Sequence, residues 1–334
     1  MKRIQRMLYI GMGILLLVAT ILTGQYGLSK ENVEIYTRAL EMQDEMEELG
    51  FPEFNLSDYP VAFFDGTYDY VLTTNGDEVE IKRRKPVMDT FVGTAYPVEE
   101  HYEVLMPTLE KFQDMIDLFA SAQQIEEMNN GNGVMLEENE YGINEQITTI
   151  WHEAFHAYQC TYYLEEIEEL LAGHSFLEGD FGDGEKLIVE QVDRSPQIVA
   201  LYERELELLK QAVLCEDIDT LKRHILEYKT LEEERQALLG EDILILENYY
   251  RQIEGTARYV EACAYRELYS EEAFQAYYVE GINQYRNGSS KYYDIGMAEC
   301  LILDKLEPDW ETRYHCTDDI MEQIYQYLGV EDGI

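Results

Sequence analysis

The spacing of apolar positions changes along the chain, and each change predicts a different kind of element. Lys2, Arg3 and Arg6 precede an uncharged stretch from Met7 to Ser29 that is apolar through Leu22. That pattern predicts an N-terminal membrane helix with its basic end in the cytoplasm. From Glu31 to Leu49 the apolar residues Ile35, Ala39, Leu40, Met46 and Leu49 fall near helical spacing, and Gly50 and Pro52 end the run. Between Pro60 and Ala95 the texture becomes β-like: Val61–Phe64, Tyr68–Leu72, Glu78–Lys82 and Thr90–Thr94 are short strand-type runs. Asp65-Gly66 and Asn75-Gly76-Asp77 stand between them as turn signals. Pro107 then opens a predicted helix to about Glu127, which Asn129–Gly133 breaks, and Val134-Met-Leu136 reads as a short edge strand. Ile143 to Ala172 contains no Gly or Pro and predicts one long helix. After a Gly/Asp-rich loop from Gly173 to Gly184, Ser195-Pro196 reads as a helix cap with Pro at the first helical position. Helical patterns follow to Leu214, from Ile218 to Leu239 and from Asp242 to Leu268.

The fold class expected is therefore α+β, mostly α, with residues 1–29 as a signal or anchor. A single exported unit, 30–334, would follow. It would hold a sheet region at about 60–140, a long helix at about 143–172 and a helical region at about 195–334. The leader has no clear small-residue cleavage site, so an uncleaved single-pass anchor in the cell membrane is expected, with the remainder extracellular. If the leader is cut, the domain is secreted.

Charge narrows the partners. Acidic residues number 68 against 25 basic ones, for a net charge of −43, which disfavours nucleic acid and anionic lipid as partners. Lys82-Arg83-Arg84-Lys85 is the one basic cluster after the leader and reads as an exposed hairpin end. The five Cys are scattered without a C-x-x-C pair, so neither a disulfide scaffold nor a Cys-ligated zinc site is expected. Asp180, Asp183 and Glu185 fit no EF-hand spacing.

The chemistry lies in Trp151-His152-Glu153-Ala154-Phe155-His156, an H-E-x-x-H pattern inside the long predicted helix. Two His at i and i+4 share a helix face, where both imidazoles can reach one divalent cation. Glu153 is offset along that face as a general base, and such a site requires a third protein ligand. The continuation H-x-x-G-x-x-H fails, because Gln159 and Tyr162 occupy the required Gly and His positions. His174 and Glu178 lie in the following loop. Glu254 stands in a helical pattern whose Gly255 and Ala257 would permit a close crossing of the H-E-x-x-H helix, yet it is also one acid among 68.

Glu254-Gly255-Thr256-Ala257-Arg258-Tyr259 resembles the E-G-x-A-x-Y signature of gluzincin metallopeptidases, including the aminopeptidase N group, within the broader peptidase MA-like zincins. Tyr293-Asp294-Ile295-Gly296-Met297-Ala298 is similar to that family's Y-x-x-G-x-A stretch. The resemblance implies a zincin-like fold and one Zn²⁺ held by His152, His156 and Glu254. It also implies hydrolysis of a peptide or protein substrate with Glu153 as base and Tyr293 stabilising the oxyanion. Glu261 would orient a His ligand. The chain departs from the family in two ways: the interval from His156 to Glu254 is much longer than usual, and the G-x-M-E-N motif that binds a substrate amino terminus is missing. Aminopeptidase specificity is therefore not implied. A zinc hydrolase acting on another amide or ester, or an inactive exported binding protein retaining the fold, also fits the sequence.

Overall fold

A computed structural model of the protein describes residues 27–76, 78–90, 92–114, 142–172, 174 and 182–330. Residues 1–26 of the predicted leader, the Val134–Leu136 strand, most of the 107–127 helix and Asp180 fall outside these residues. Among the described residues no helix is long and apolar enough to cross a membrane. The architecture is mostly helical α+β with a five-strand mixed sheet in its N-terminal part. The chain divides into two compact units, 1–45 with 55–158, and 46–54 with 159–334.

In the first unit, helix α1 (Lys30–Glu41) is capped by the Ser29 side chain and buries Val33, Ile35, Tyr36 and Ala39; the shorter α2 (Gln43–Glu47) follows it. Asn32, also buried, accepts from Leu109 N at 2.8 Å and donates to Glu110 at 2.8 Å, which ties α1 to the segment after the sheet. The strands are β1 (Val61–Phe64), β2 (Asp69–Asn75), β3 (Glu78–Arg84), β4 (Thr94–Val98) and β5 (His101–Pro107), in the order β3-β2-β1-β5-β4. β1 and β5 are parallel, with Val61 opposite Val104, and the other pairs are antiparallel. Every residue of β1 is buried, as expected of a central strand covered on both faces. β3, at an edge, opens with exposed and buried positions in alternation.

Three predicted strands match and one is displaced. Thr90–Thr94 is not a strand; β4 begins at Thr94 and carries Pro97, which an edge strand tolerates because one side of its ladder is open. β5 has no counterpart among the predicted runs, and Pro107 closes it instead of opening a helix. The helix begins two residues later, at 109–114, behind Thr108, whose hydroxyl accepts from Lys111 N at 3.3 Å. Arg84, expected on an exposed hairpin end, is a clamp: it grips buried Glu103 through both terminal nitrogens and buried Asp69 through Nε at 3.2 Å.

The long helix α3 (Ile143–Leu171) runs from the first unit into the second and bends at Tyr163, whose φ of −131° and ψ of 16° are not helical. The helical unit continues with α4 (Gly182–Ile188), which leads into a π-helical turn at Val189–Asp193, then α5 (Pro196–Leu214) and α6 (Ile218–Gln236). Ser195 and Asp217 cap α5 and α6, and Pro196 opens α5 as its sequence predicts. Next come α7 (Glu241–Tyr249), a π-helical turn at Tyr250–Glu254 and α8 (Gly255–Leu268), which together read as one continuous helix. The short α9 (Glu271–Phe274), α10 (Ser290–Leu306) and α11 (Ile320–Leu328) complete it.

The core of this unit holds charge. Arg235, fully buried, donates to both oxygens of Glu205 at 2.8 and 2.9 Å and to both oxygens of Glu247 at 2.6 and 2.7 Å. Arg251 bridges Glu232 and Glu299. Two guanidiniums thus face four carboxylates, and burial raises Glu205 to about 7 and Glu299 to about 8 against the pull of their Arg partners. Glu311, raised by burial to about 7, accepts the Tyr259 hydroxyl at 2.8 Å.

A carboxyl whose folded pKa lies above its unfolded value keeps its proton after the unfolded chain has lost it, so stability falls as pH rises through that interval. From about pH 4.5 to 8 the stability contributed by Glu205, Glu299 and Glu311 should therefore decline. Unfolding free energies from urea titrations should be lower at pH 8 than at pH 5, by several kcal/mol. Glu299→Gln should flatten that slope, and an unchanged slope would contradict the assignment.

Candidate metal centre

α3 presents its H-E-x-x-H residues by burying the other side of the helix. Trp151, Ala154, Phe155, Ala157 and Tyr158 are fully buried, whereas His152 is 9% exposed and Glu153 and His156 are half-buried. The i, i+4 spacing brings His152 Nε2 and His156 Nε2 to 3.1 Å, with ring centroids 4.7 Å apart and planes at 80°. Ring nitrogens this close are held by one shared proton or by a cation that both lone pairs face. Two Zn–N bonds of about 2.0–2.1 Å at a tetrahedral angle would place their nitrogens ~3.3 Å apart, close to the spacing found. Beside them, Gly93 lies against the proposed base. A Cβ on Gly93 would stand 2.9 Å from Glu153 Cγ, 3.0 Å from Glu153 Oε1 and 2.7 Å from Thr149 Cγ2. A side chain at position 93 would require Thr149 or Glu153 to move.

Glu254 is the last residue of the π-helical turn, and a backbone-to-backbone crossing sets its place. A Cβ on Gly255 would lie 2.5 Å from Gly296 Cα, and one on Gly296 would lie 2.1 Å from the Arg251 carbonyl oxygen. α8 and α10 therefore meet with nothing between them but main chain. Each glycine follows close behind a residue of interest, Glu254 one position before Gly255 and Tyr293 one turn before Gly296. The Tyr293 hydroxyl donates to the Glu254 carboxylate. Burial, reinforced by that carboxylate, holds the Tyr293 phenol well above its ordinary pKa, so it remains a donor at neutral pH. Tyr250 stacks on Tyr293 and Tyr292 at centroid distances of 6.3 and 6.2 Å. Burial, with the charges of Glu185 and Glu254 added, raises Tyr250 to about 12.

His152, His156 and Glu254 each offer one ligand atom within 4.8 Å of the other two. This is the single group of three or more His, Cys, Asp or Glu side chains among the described residues that could hold a metal ion. Its two imidazoles and one carboxylate are a donor set suited to zinc with an open position. Of the alternatives, His174 instead contacts Asp242 at 2.9 Å, and Glu178 lies outside the described residues. Glu261 accepts from Arg258 Nη1 at 2.7 Å and from the Tyr278 hydroxyl at 2.9 Å. Gly255 serves the crossing with α10, where the sequence suggested a crossing with α3.

Sequence reasoning missed the residues that join α3 to the Glu254 turn. Gln159, wholly buried, has Nε2 within hydrogen-bond distance of Ile253 O (3.1 Å), Thr256 Oγ1 (2.9 Å) and the Tyr314 hydroxyl (3.0 Å), three acceptors that its two N–H groups share. The bend at Tyr163 is pinned by its hydroxyl on Tyr314 O at 3.2 Å and its ring against Tyr314 and His315. The available signal was an amide on the apolar side of a helix, three residues past the second His of the H-E-x-x-H pattern. Compared with protein-family models, curated proteins and solved structures, the chain matches none.

Gly296→Ala forces its methyl into the Arg251 carbonyl, which is main chain and cannot swing aside. The expected loss is about 2–4 kcal/mol of unfolding free energy in urea, together with loss of bound zinc. An unfolding free energy within about 0.5 kcal/mol of the parent would show that the crossing is looser than described.

Proposed function

We propose that this chain is a zinc-dependent metallohydrolase, a peptidase of the gluzincin kind. The observation that supports this reading most directly is the convergence of His152, His156 and Glu254 ligand atoms within 4.8 Å. Bound there, Zn²⁺ would polarise a scissile carbonyl and lower the pKa of a water to about 7.

The remaining roles belong to the chain's own side chains. Glu153 accepts a proton from the attacking water and delivers it to the departing amine. Gly93 lies beside Glu153, where an added side chain would crowd the carboxylate. Tyr293, held as a donor, turns from Glu254 to the negative charge that develops on the carbonyl oxygen. A substrate backbone would align along β4, the edge strand that starts one residue after Gly93, by strand addition. The basic leader and the apolar stretch behind it fit an exported domain held at the cell membrane, its acidic surface facing outward.

Glu153→Gln should keep one zinc per chain while turnover of a peptide substrate drops by about 10²–10⁴-fold, whereas Glu254→Ala should lose the metal. A parent protein that binds no zinc, or a Glu153→Gln variant with full turnover, would overturn the proposal. Tyr293→Phe tests the donor separately. It should lower kcat by about 10²–10³-fold with zinc content unchanged, and an unchanged kcat would remove Tyr293 from the mechanism.

A further inference from the structure

We infer that Gln159 is a positioning residue for the third metal ligand, fixing Glu254 relative to His156 through its buried side-chain amide. The inference rests on the metal-centre reading above and adds a residue that the H-E-x-x-H and E-G-x-A-x-Y patterns do not contain.

Gln159 lies three residues past His156, within one turn of the same helix. Its Nε2 reaches the carbonyl of Ile253, the residue immediately before Glu254, and the hydroxyl of Thr256, two residues after it. The two bonds bracket the ligand on the chain. Amide orientation is fixed by chemistry, because a main-chain carbonyl can only accept and therefore must face the NH₂ end. Thr256 in turn donates to Gln252 O at 2.6 Å, leaving its oxygen lone pairs for Gln159 and Tyr314.

The site of attachment matters. Tyr250–Glu254 is a π-helical turn, in which one extra residue per turn shifts every following side chain around the helix axis. If that turn relaxed to α-helical spacing, Glu254 would rotate away from its present direction by roughly 100°. An amide that grips the carbonyl of Ile253 and the hydroxyl of Thr256 opposes that change. The same NH₂ group also lies 3.0 Å from the Tyr314 hydroxyl, its third acceptor. Gln159 is wholly buried and Thr256 wholly buried, so water cannot substitute for the lost donor without opening the core.

The test is zinc affinity of the full chain, measured by competition with a chromophoric chelator, alongside visible spectra of the Co²⁺-loaded protein. Gln159→Met keeps the side-chain length and removes the donor. It should weaken zinc binding by about tenfold or more and change the Co²⁺ absorption bands. Leu206→Ala, a fully packed core position in α5, serves as a destabilised control that should retain parental affinity and spectrum. If Gln159→Met does not fold, Gln159→Asn, which keeps a buried amide one methylene short, is measured in the same way and should show the same weakening. Parental affinity and spectrum in the folded Gln159 variant, or an equal loss in Leu206→Ala, would overturn the inference. In that result Glu254→Ala still loses zinc and the metal-centre reading survives. A parent that binds no zinc sinks both.

Discussion

The contact on which the candidate site depends is the meeting of Gly255 and Gly296, where two helices approach main chain to main chain. No side chain separates α8 from α10 at that point, and a Cβ on either glycine would overlap Gly296 Cα or the Arg251 carbonyl. The constraint is steric and therefore steep with distance, unlike the shallow preferences of surface contacts. Glu254 and Tyr293 inherit their proximity from it. A carboxylate and a phenol that are 39 positions apart in sequence lie side by side, one position and one turn before the glycines of this crossing.

Around that crossing the protein uses buried polar groups to set position as well as to be satisfied. Gln159 joins α3 to the Glu254 turn, Thr256 and Tyr314 complete the junction, and Tyr163 locks the bend that follows. Farther from the site, Arg235 and Arg251 organise a set of carboxylates that are more numerous than their cations. Such networks are poor sources of net stability, since desolvation offsets most of the attraction. Their effect is on geometry: each bidentate contact accepts few orientations, which confines the helices that carry it. In a chain with net charge −43, holding some acids protonated inside also lessens the repulsion that folding concentrates.

How much of this was legible in the sequence depended on whether the deciding interaction is local. His152 and His156 were legible because helical periodicity alone puts i and i+4 on one face. The β1–β2–β3 part of the sheet was legible because Gly66 and Gly76 mark its turns, with φ of 96° and 61°. The cap at Ser195-Pro196 is equally local. β4 and β5 were not legible. Pro97 and Pro107 are strand-discouraging residues tolerated only by edge and terminal positions, and the turn between these strands uses Glu99 at φ 55° where a glycine would have signalled it. The bend at Tyr163 has no Gly or Pro to announce it; it is imposed by Tyr314 and His315, some 150 positions away in the chain. Gly255 and Ala257 suggested a close helix crossing but could not say with which helix. The π-helical turn before Glu254 has no sequence signature at all, being settled by what packs on either side of it.

The central claim is that His152, His156 and Glu254 bind one ion together. Anomalous diffraction at the zinc edge, on crystals of the zinc-loaded full chain, tests it most directly. The account predicts one strong peak about 2.0–2.2 Å from both Nε2 atoms and from a carboxylate oxygen of Glu254. No peak between the imidazoles, or a peak there with the Glu254 oxygens outside bonding distance, would contradict it.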